Sequence, residues 1–484
     1  MRTTKQNIGL FLGPTAFVLI LLFFQPKGLS IEANAVLASA IWIAIWWITE
    51  ALHIAVTALL PIVLFPLSGA LGLKETTASY GHKYIFLFMG GFILAIAIEK
   101  WKLHKRIALS IIKLVGTNVN YIILGFMIAT AFLSMWISNT ATAVMILPVG
   151  IAIIAQLKDN PDTIENENEI FGKALMLAIA YSASIGGLAT LIGTPPNLVF
   201  AGVIQKSYGI EITFLDWFKF GLPISIVFLV IAWLYLTNIA FKFEQKKFPG
   251  GIQEINNQLK ALGKITYEER SVLIVFILTA FAWISRSFLL KQFIPQIDDT
   301  LIAITFALIL FILPNKTRTQ PLMLWQDAVK LPWDILILFG GGMALALGFE
   351  SSGLAEWIGE QLKQLETIPL IILLLILIAA VNFLTEITSN LATTAMLLPV
   401  LVSLATAIEV HPYYLLVGAT LAASCAFMLP VATPPNAVVF GSGYLKISDM
   451  VKKGVVLNMI TIFILTLVVY YFLPLIWDLS VHPK

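Results

Sequence analysis

Apolar residues run through this chain in long blocks rather than alternating with polar ones. Stretches of roughly 16 to 22 residues with almost no charge recur from end to end. As helices rising about 1.5 Å per residue, such stretches match a hydrocarbon core of about 30 Å. The pattern predicts eleven spanning segments, at about 9–24, 33–52, 54–72, 84–99, 173–204, 217–241, 270–290, 299–313, 333–349, 413–443 and 455–477. Two further apolar regions, 121–157 and 369–408, have a polar centre instead. A polar tip cannot face lipid with its backbone unpaired, so both read as re-entrant hairpins that enter and leave on one side. The expected fold class is an all-α membrane protein with about eleven transmembrane helices plus two re-entrant helical hairpins.

The two polar centres are copies of one another. Ser134-Met135-Trp136-Ile137-Ser138-Asn139-Thr140 occupies the first and Thr385-Glu386-Ile387-Thr388-Ser389-Asn390-Leu391 the second. The shift that carries Asn139 onto Asn390 also carries Phe88 onto Phe339, Gly90-Gly91 onto Gly341-Gly342 and Glu99 onto Glu350. It further carries Thr142 onto Thr393, Met145 onto Met396 and Leu147-Pro148-Val149 onto Leu398-Pro399-Val400. One ungapped shift over this length is an internal duplication. The segments 84–99 and 333–349 are five spans apart. Five is odd, so the copies are expected to run in opposite directions, the inverted repeat of many secondary transporters.

Composition narrows the class further. Only 12% of the 484 residues are charged, against about 25% in a soluble globule. With the N-terminus inside, 21 of the 30 Lys and Arg fall on the cytoplasmic side and 9 outside. That bias predicts a cytoplasmic N-terminus and an external C-terminus, in a bacterial plasma membrane. Two straight spans in place of each hairpin would keep the same parity. Cys425 is alone, which excludes an intrachain disulfide and a cysteine metal cluster. The five histidines lie at segment ends or in loops without metal spacing. No nucleotide loop, zinc helix or Ser-His-acid set is present, so an enzyme is not expected. The acidic run from Asp159 to Glu169 reads as a solvated loop.

Two spans are interrupted at matching places. Gly193-Thr194-Pro195-Pro196-Asn197 breaks the fifth and Ala432-Thr433-Pro434-Pro435-Asn436 the tenth. Paired prolines remove two backbone donors and stop a helix. Broken helices at membrane depth are tolerated where they line a cavity or are buried in protein. Helix N-termini suit an anion, and exposed carbonyls with Ser, Thr and Asn oxygens suit a hard cation. An Asn side chain offers both, so Asn139 and Asn390 can bridge a bound cation and a bound anion. No Lys or Arg lies well inside a proposed span. A divalent anion in such a site needs compensation, which bound cations can supply; this favours cation-coupled symport. Glu386, whose repeat mate is Met135, is an intramembrane acid and so a candidate proton or cation site; because the duplication does not require it, the favoured reading is a carboxylate capping neighbouring helix ends.

The paired Ser-Asn tips, the Thr-Pro-Pro-Asn breaks and the length resemble the divalent-anion/sodium symporter (INDY-like) family. That resemblance implies sodium-coupled symport of divalent anions, above all C4-dicarboxylates such as succinate, malate and fumarate. It also implies a homodimer working as an elevator, with a scaffold of 1–117 and 243–365 and a transport part of 118–242 and 366–484. One sodium site then maps onto Ser134, Ser138, Asn139 and Gly193, and the other onto Thr385, Ser389, Asn390 and Ala432. Substrate carboxylates would meet Asn139, Thr140, Asn390, Thr433 and Pro434. Leu391 stands where Thr140 has its hydroxyl, so this chain departs from the pattern at one substrate position. The alternatives are a sodium-independent di- or tricarboxylate exchanger, a sodium/sulfate symporter and, from another class, an anion channel.

Overall fold

The structure is a computed structural model that describes residues 2–116, 118–156, 167–243, 251–477 and 479. Among these residues every regular element is a helix, and an isolated bridge joins Pro314 and Pro321. Most of the expected acidic loop lies outside the described residues. Among the described residues, nine helices are long and apolar enough to cross a membrane, or ten if the bent pair Leu354–Thr367 and Leu370–Thr385 counts as one.

The remaining expected segments are helices too, but short or broken. The stretch near 54–72 is Ile54–Thr57 followed by Leu60–Ser68, and the stretch near 299–313 is Asp299–Ile312. The fifth segment divides into Glu167–Gly187 and Pro195–Tyr208, and the tenth into Pro412–Ala423 and Pro434–Phe440. Both second pieces carry Pro at their first turn, where a missing N–H costs nothing.

Each polar-centred region is a pair of helices folded back on itself. Val119–Ser134 and Asn139–Ile154 form the first hairpin, Leu370–Thr385 and Asn390–Ala407 the second. Besides short turns of helix, the described residues form three helices outside the predicted segments: Leu103–Val115, Gly251–Ala261 and Leu354–Leu362. They are amphipathic, apolar along one side only, so no run of apolar residues announces them. Leu103, Ala108, Leu109 and Ile112 form the buried side of the first.

The duplicated Gly-Gly pairs have a packing cause. A Cβ on Gly90 would stand 2.7 Å from the backbone carbon of Ala303, and one on Gly341 2.5 Å from the carbonyl oxygen of Ala58. In both copies, then, the first glycine lets a neighbouring backbone touch the helix, as small residues do between membrane helices.

One basic side chain is more deeply placed than the sequence suggests. Arg286 follows Tyr267–Ser285 and is 1% exposed. It lies 3.0 Å from carboxylate oxygens of both Glu211 and Asp299, and Lys83 adds contacts to Glu211 at 3.0 Å and Asp298 at 3.4 Å. Arg286 is thus spent on carboxylates. Burial alone would raise the Glu211 pKa, but Lys83 and Arg286 outweigh it and hold the group below the ordinary glutamate value.

The close backbone contact at Gly90 generates a measurable expectation. Gly90→Ala forces the Ala303 backbone away and costs about 1–3 kcal/mol, the usual range for overpacking. It should lower the thermal midpoint of the purified protein, whereas Gly81→Ala, with nothing within 4 Å of the new Cβ, should leave it unchanged.

Candidate functional site

The first hairpin turns through Met135–Ser138, and Ser138 caps the returning arm by accepting the N–H of Ala141 at 3.3 Å. The turn is held against the broken fifth segment by oxygen contacts. Ser134 Oγ lies 2.7 Å from Asn139 Oδ1 and 2.6 Å from the carbonyl oxygen of Ala183. A hydroxyl has one hydrogen, so it serves one of these two acceptors at a time. The same end of the Asn139 amide is 3.2 Å from Ala183 O and 3.3 Å from Gly193 O. With the amide oxygen turned inward, four oxygens therefore face one another around one hydroxyl hydrogen. With the amide reversed, its NH2 donates to the same oxygens. The oxygen-inward arrangement suits a hard cation and the reversed one suits its absence.

Glycine is required for this closeness. A Cβ on Gly193 would meet Gly187 O at 2.5 Å, and a Cβ on Gly187 would meet Asn139 Oδ1 at 2.6 Å.

The second hairpin repeats the geometry. Thr385 Oγ1 lies 2.7 Å from Asn390 Oδ1 and 3.0 Å from Ala423 O, on the broken tenth segment. Ser389 precedes the returning arm without a side-chain cap bond, and Ala432, the counterpart of Gly193, is 4% exposed.

The breaks are themselves braced in duplicate. Asn197 Nδ2 donates to Gly187 O at 3.1 Å and Thr190 O at 2.8 Å. Asn436 Nδ2 donates to Ala426 O at 3.4 Å and Leu429 O at 3.0 Å. Both asparagines are fully buried. In the sequence their role is signalled only by their recurrence at the end of both Thr-Pro-Pro-Asn motifs.

Of the expected substrate contacts, Asn139, Thr140 and Asn390 are half-buried, Thr433 is 3% exposed and Pro434 is exposed. Leu391 is 5% exposed and packs in the hydrophobic core. Thr433 Oγ1 accepts the N–H of Asn436 at 3.3 Å, which leaves its own hydrogen free to donate. The halves meet crosswise: the arm from Asn139 packs on the helix from Pro434, and the helix from Pro195 packs on the arm from Asn390. Each of these helices begins at a motif residue and turns its positive end toward it.

Glu386 is 3% exposed and caps the second break, as the sequence reading holds. Its oxygens accept the N–H groups of Phe427 at 2.8 Å, Met428 at 3.0 Å and Leu429 at 3.0 Å, and Asn458 Nδ2 at 2.7 Å. Among the described residues, no group of three or more His, Cys, Asp or Glu could hold a metal ion.

The residues that build this geometry fall within a known family pattern, since positions 4–478 match the sodium:sulfate symporter transmembrane region. The chain belongs to that family. Family membership makes it a membrane transporter rather than an enzyme. It is 49% identical over 482 residues to a sodium-dependent dicarboxylate transporter, SdcS, of Staphylococcus saprophyticus, covering 98% of this chain and 93% of the relative. The SdcS protein of Staphylococcus aureus strain MRSA252 is 48% identical, covering 99% of this chain and 94% of that one. Among solved structures, the Alcanivorax borkumensis YdaH transporter aligns with a TM-score of 0.57 at 12% identity, covering 84% of this chain and 90% of that one. Neisseria gonorrhoeae MtrF aligns with the same TM-score and identity over 97% and 96%. At that identity the likeness concerns the fold alone.

Asn197 offers the test of how the break is held. Asn197→Leu strips a donor from Gly187 O and Thr190 O at once. Each buried acceptor left unsatisfied costs about 1–3 kcal/mol. Hydrogen exchange in residues 188–194 should accelerate and the thermal midpoint should fall.

Proposed function

We propose that this chain is a secondary active transporter that couples inward sodium movement to uptake of a C4-dicarboxylate across the plasma membrane. The observation that carries the reading is the twin oxygen cluster, Ser134–Asn139–Ala183–Gly193 and Thr385–Asn390–Ala423. Each gathers a hydroxyl, an asparagine amide end and main-chain carbonyl oxygen beside a broken helix, a set that can turn oxygens toward a hard cation, and the relatives are named for sodium dependence and dicarboxylates.

In this reading Ser134, Ser138, Asn139 and Gly193 ligate one Na+, and Thr385, Ser389, Asn390 and Ala432 the other. The dianion lies between the clusters. Asn139, Asn390, Thr140 and Thr433 donate to its carboxylates, Pro434 opens the helix end beside it, and Leu391 contributes surface only. The two cations offset the two carboxylates, so the substrate needs no basic side chain, and Arg286 stays with Glu211 and Asp299. Coupling follows from electrostatics: the dianion is bound well only when the cations are present.

Eleven spans and two hairpins, with the N-terminus inside and the C-terminus outside, complete the proposed topology. Residues 118–242 and 366–484 move as a transport part of an inverted repeat against a scaffold of 1–117 and 243–365, within a homodimer. The packing of each half's hairpin arm on the other half's broken helix supports grouping those segments into one body.

The test is uptake into proteoliposomes. Succinate should accumulate when an inward sodium gradient is imposed and fail to do so in choline. Accumulation independent of sodium, exchanged one for one with internal dicarboxylate, would replace symport with antiport.

Asn139→Ala and Asn390→Ala should each weaken sodium-dependent uptake by about tenfold or more, the value of one hydrogen bond or ligand to a charged group. The size-exclusion profile should not change. Normal uptake by either variant would remove these asparagines from the site.

A further inference from the structure

The two oxygen clusters are alike in ligands and unlike in charge. In the first half, the tip residue beside Ser134 is Met135, and the amides at the end of the broken helix are satisfied by backbone. Leu188 N–H donates to Ile185 O at 3.2 Å and Ala189 N–H to Gly186 O at 3.1 Å. In the second half the helix ends earlier, at Ala423, and three consecutive amides, of Phe427, Met428 and Leu429, turn to the Glu386 carboxylate. Among the described residues no Lys, Arg or His stands within ion-pair distance of Glu386. Amide and asparagine N–H groups satisfy its hydrogen bonding but carry only partial charge, so a net negative charge remains buried there.

The chain places that charge beside the second cluster. Glu386 follows Thr385, and its three amide partners lie between Ala423, which contacts Thr385, and Ala432. We propose that Glu386 is a positioning residue that makes the second sodium site tighter than the first, so that this site fills at lower sodium concentration. The inference rests on the sodium sites proposed above. A unit charge about 10 Å from a cation, at an effective dielectric of about 20, changes a binding constant on the order of tenfold.

The test is sodium binding to the purified full-length protein, read as the sodium concentration that half-maximally raises the thermal midpoint. Two single-site variants compare the sites without touching Glu386. Asn139→Ala, which leaves the second site, should keep a low sodium midpoint. Asn390→Ala, which leaves the first, should need roughly tenfold more sodium. Equal midpoints, or the opposite order, would overturn the inference while leaving the sites standing. If neither variant alters sodium binding, the sites themselves fail.

Glu386→Gln removes the charge and should raise the wild-type sodium midpoint by a similar factor. The double variant Glu386→Gln with Asn458→Asp returns a carboxylate to one of these amides, because Asn458 Oδ1 already accepts the Phe427 N–H at 3.2 Å. It should recover most of the lost affinity. A merely structural role for Glu386 predicts a lower thermal midpoint at every sodium concentration, with no change in sodium dependence and no rescue by the relocated charge.

Discussion

An amide that leaves a helix inside a membrane must find a new partner, because the surrounding hydrocarbon offers none. The architecture here is organised around satisfying that demand at two places. The fifth and tenth segments break after Gly187 and Ala423 and resume as helix only at Pro195 and Pro434, which leaves carbonyls in each gap without a ladder partner. Asn197 and Asn436 then reach back across each gap to pair two of them. What these braces leave over is not random: the carbonyls of Ala183, Gly193 and Ala423 meet hairpin tips that bring one hydroxyl and one asparagine amide each. The proposed sodium clusters form where this accounting is loosest, at oxygens that share few hydrogens and that a cation can complete.

Duplication explains why the accounting comes out the same way twice, and divergence explains where it does not. Ser134 and Thr385 make equivalent contacts with different side chains, since each needs only a hydroxyl. Gly193 and Ala432 differ because the first break packs more tightly, with Gly187 O directly behind Gly193. The second helix stops sooner and releases three amides, and Glu386 answers them. A methionine suffices in the first half, where the Leu188 and Ala189 amides find carbonyl acceptors in the turn that follows the helix.

Much of this was legible in the chain. Hydropathy located the helices, the Ser-Asn repeat located the hairpins, and Pro-Pro located both breaks within a few residues. The capping role of Glu386 followed from its lack of a repeat mate. The amphipathic helices were not legible, because Leu103–Val115 and its counterparts interleave apolar residues with charged ones and so offer no unbroken apolar run. Nor was the depth of Arg286: its position at the end of an apolar run looks interfacial, and only the fold brings Glu211 and Asp299 around it. The bracing asparagines were visible as letters but not as bonds, since an Asn after two prolines reads equally well as a cap.

The turn of the first hairpin also carries Trp136, two residues before Ser138. Its ring stacks 6.5 Å from Trp283 with the planes 6° apart, stacks 5.8 Å from Phe214, and meets Phe276 edge-on at 5.0 Å. Two indoles held parallel at that separation couple their transitions, and the coupling depends steeply on distance and angle. The residues that gather oxygens around Asn139 thus share a rigid turn with one partner of a chromophore pair whose other partner sits on a different helix. Any displacement of the hairpin relative to the helix Tyr267–Ser285 is written into the near-ultraviolet circular dichroism of the protein, with no label attached.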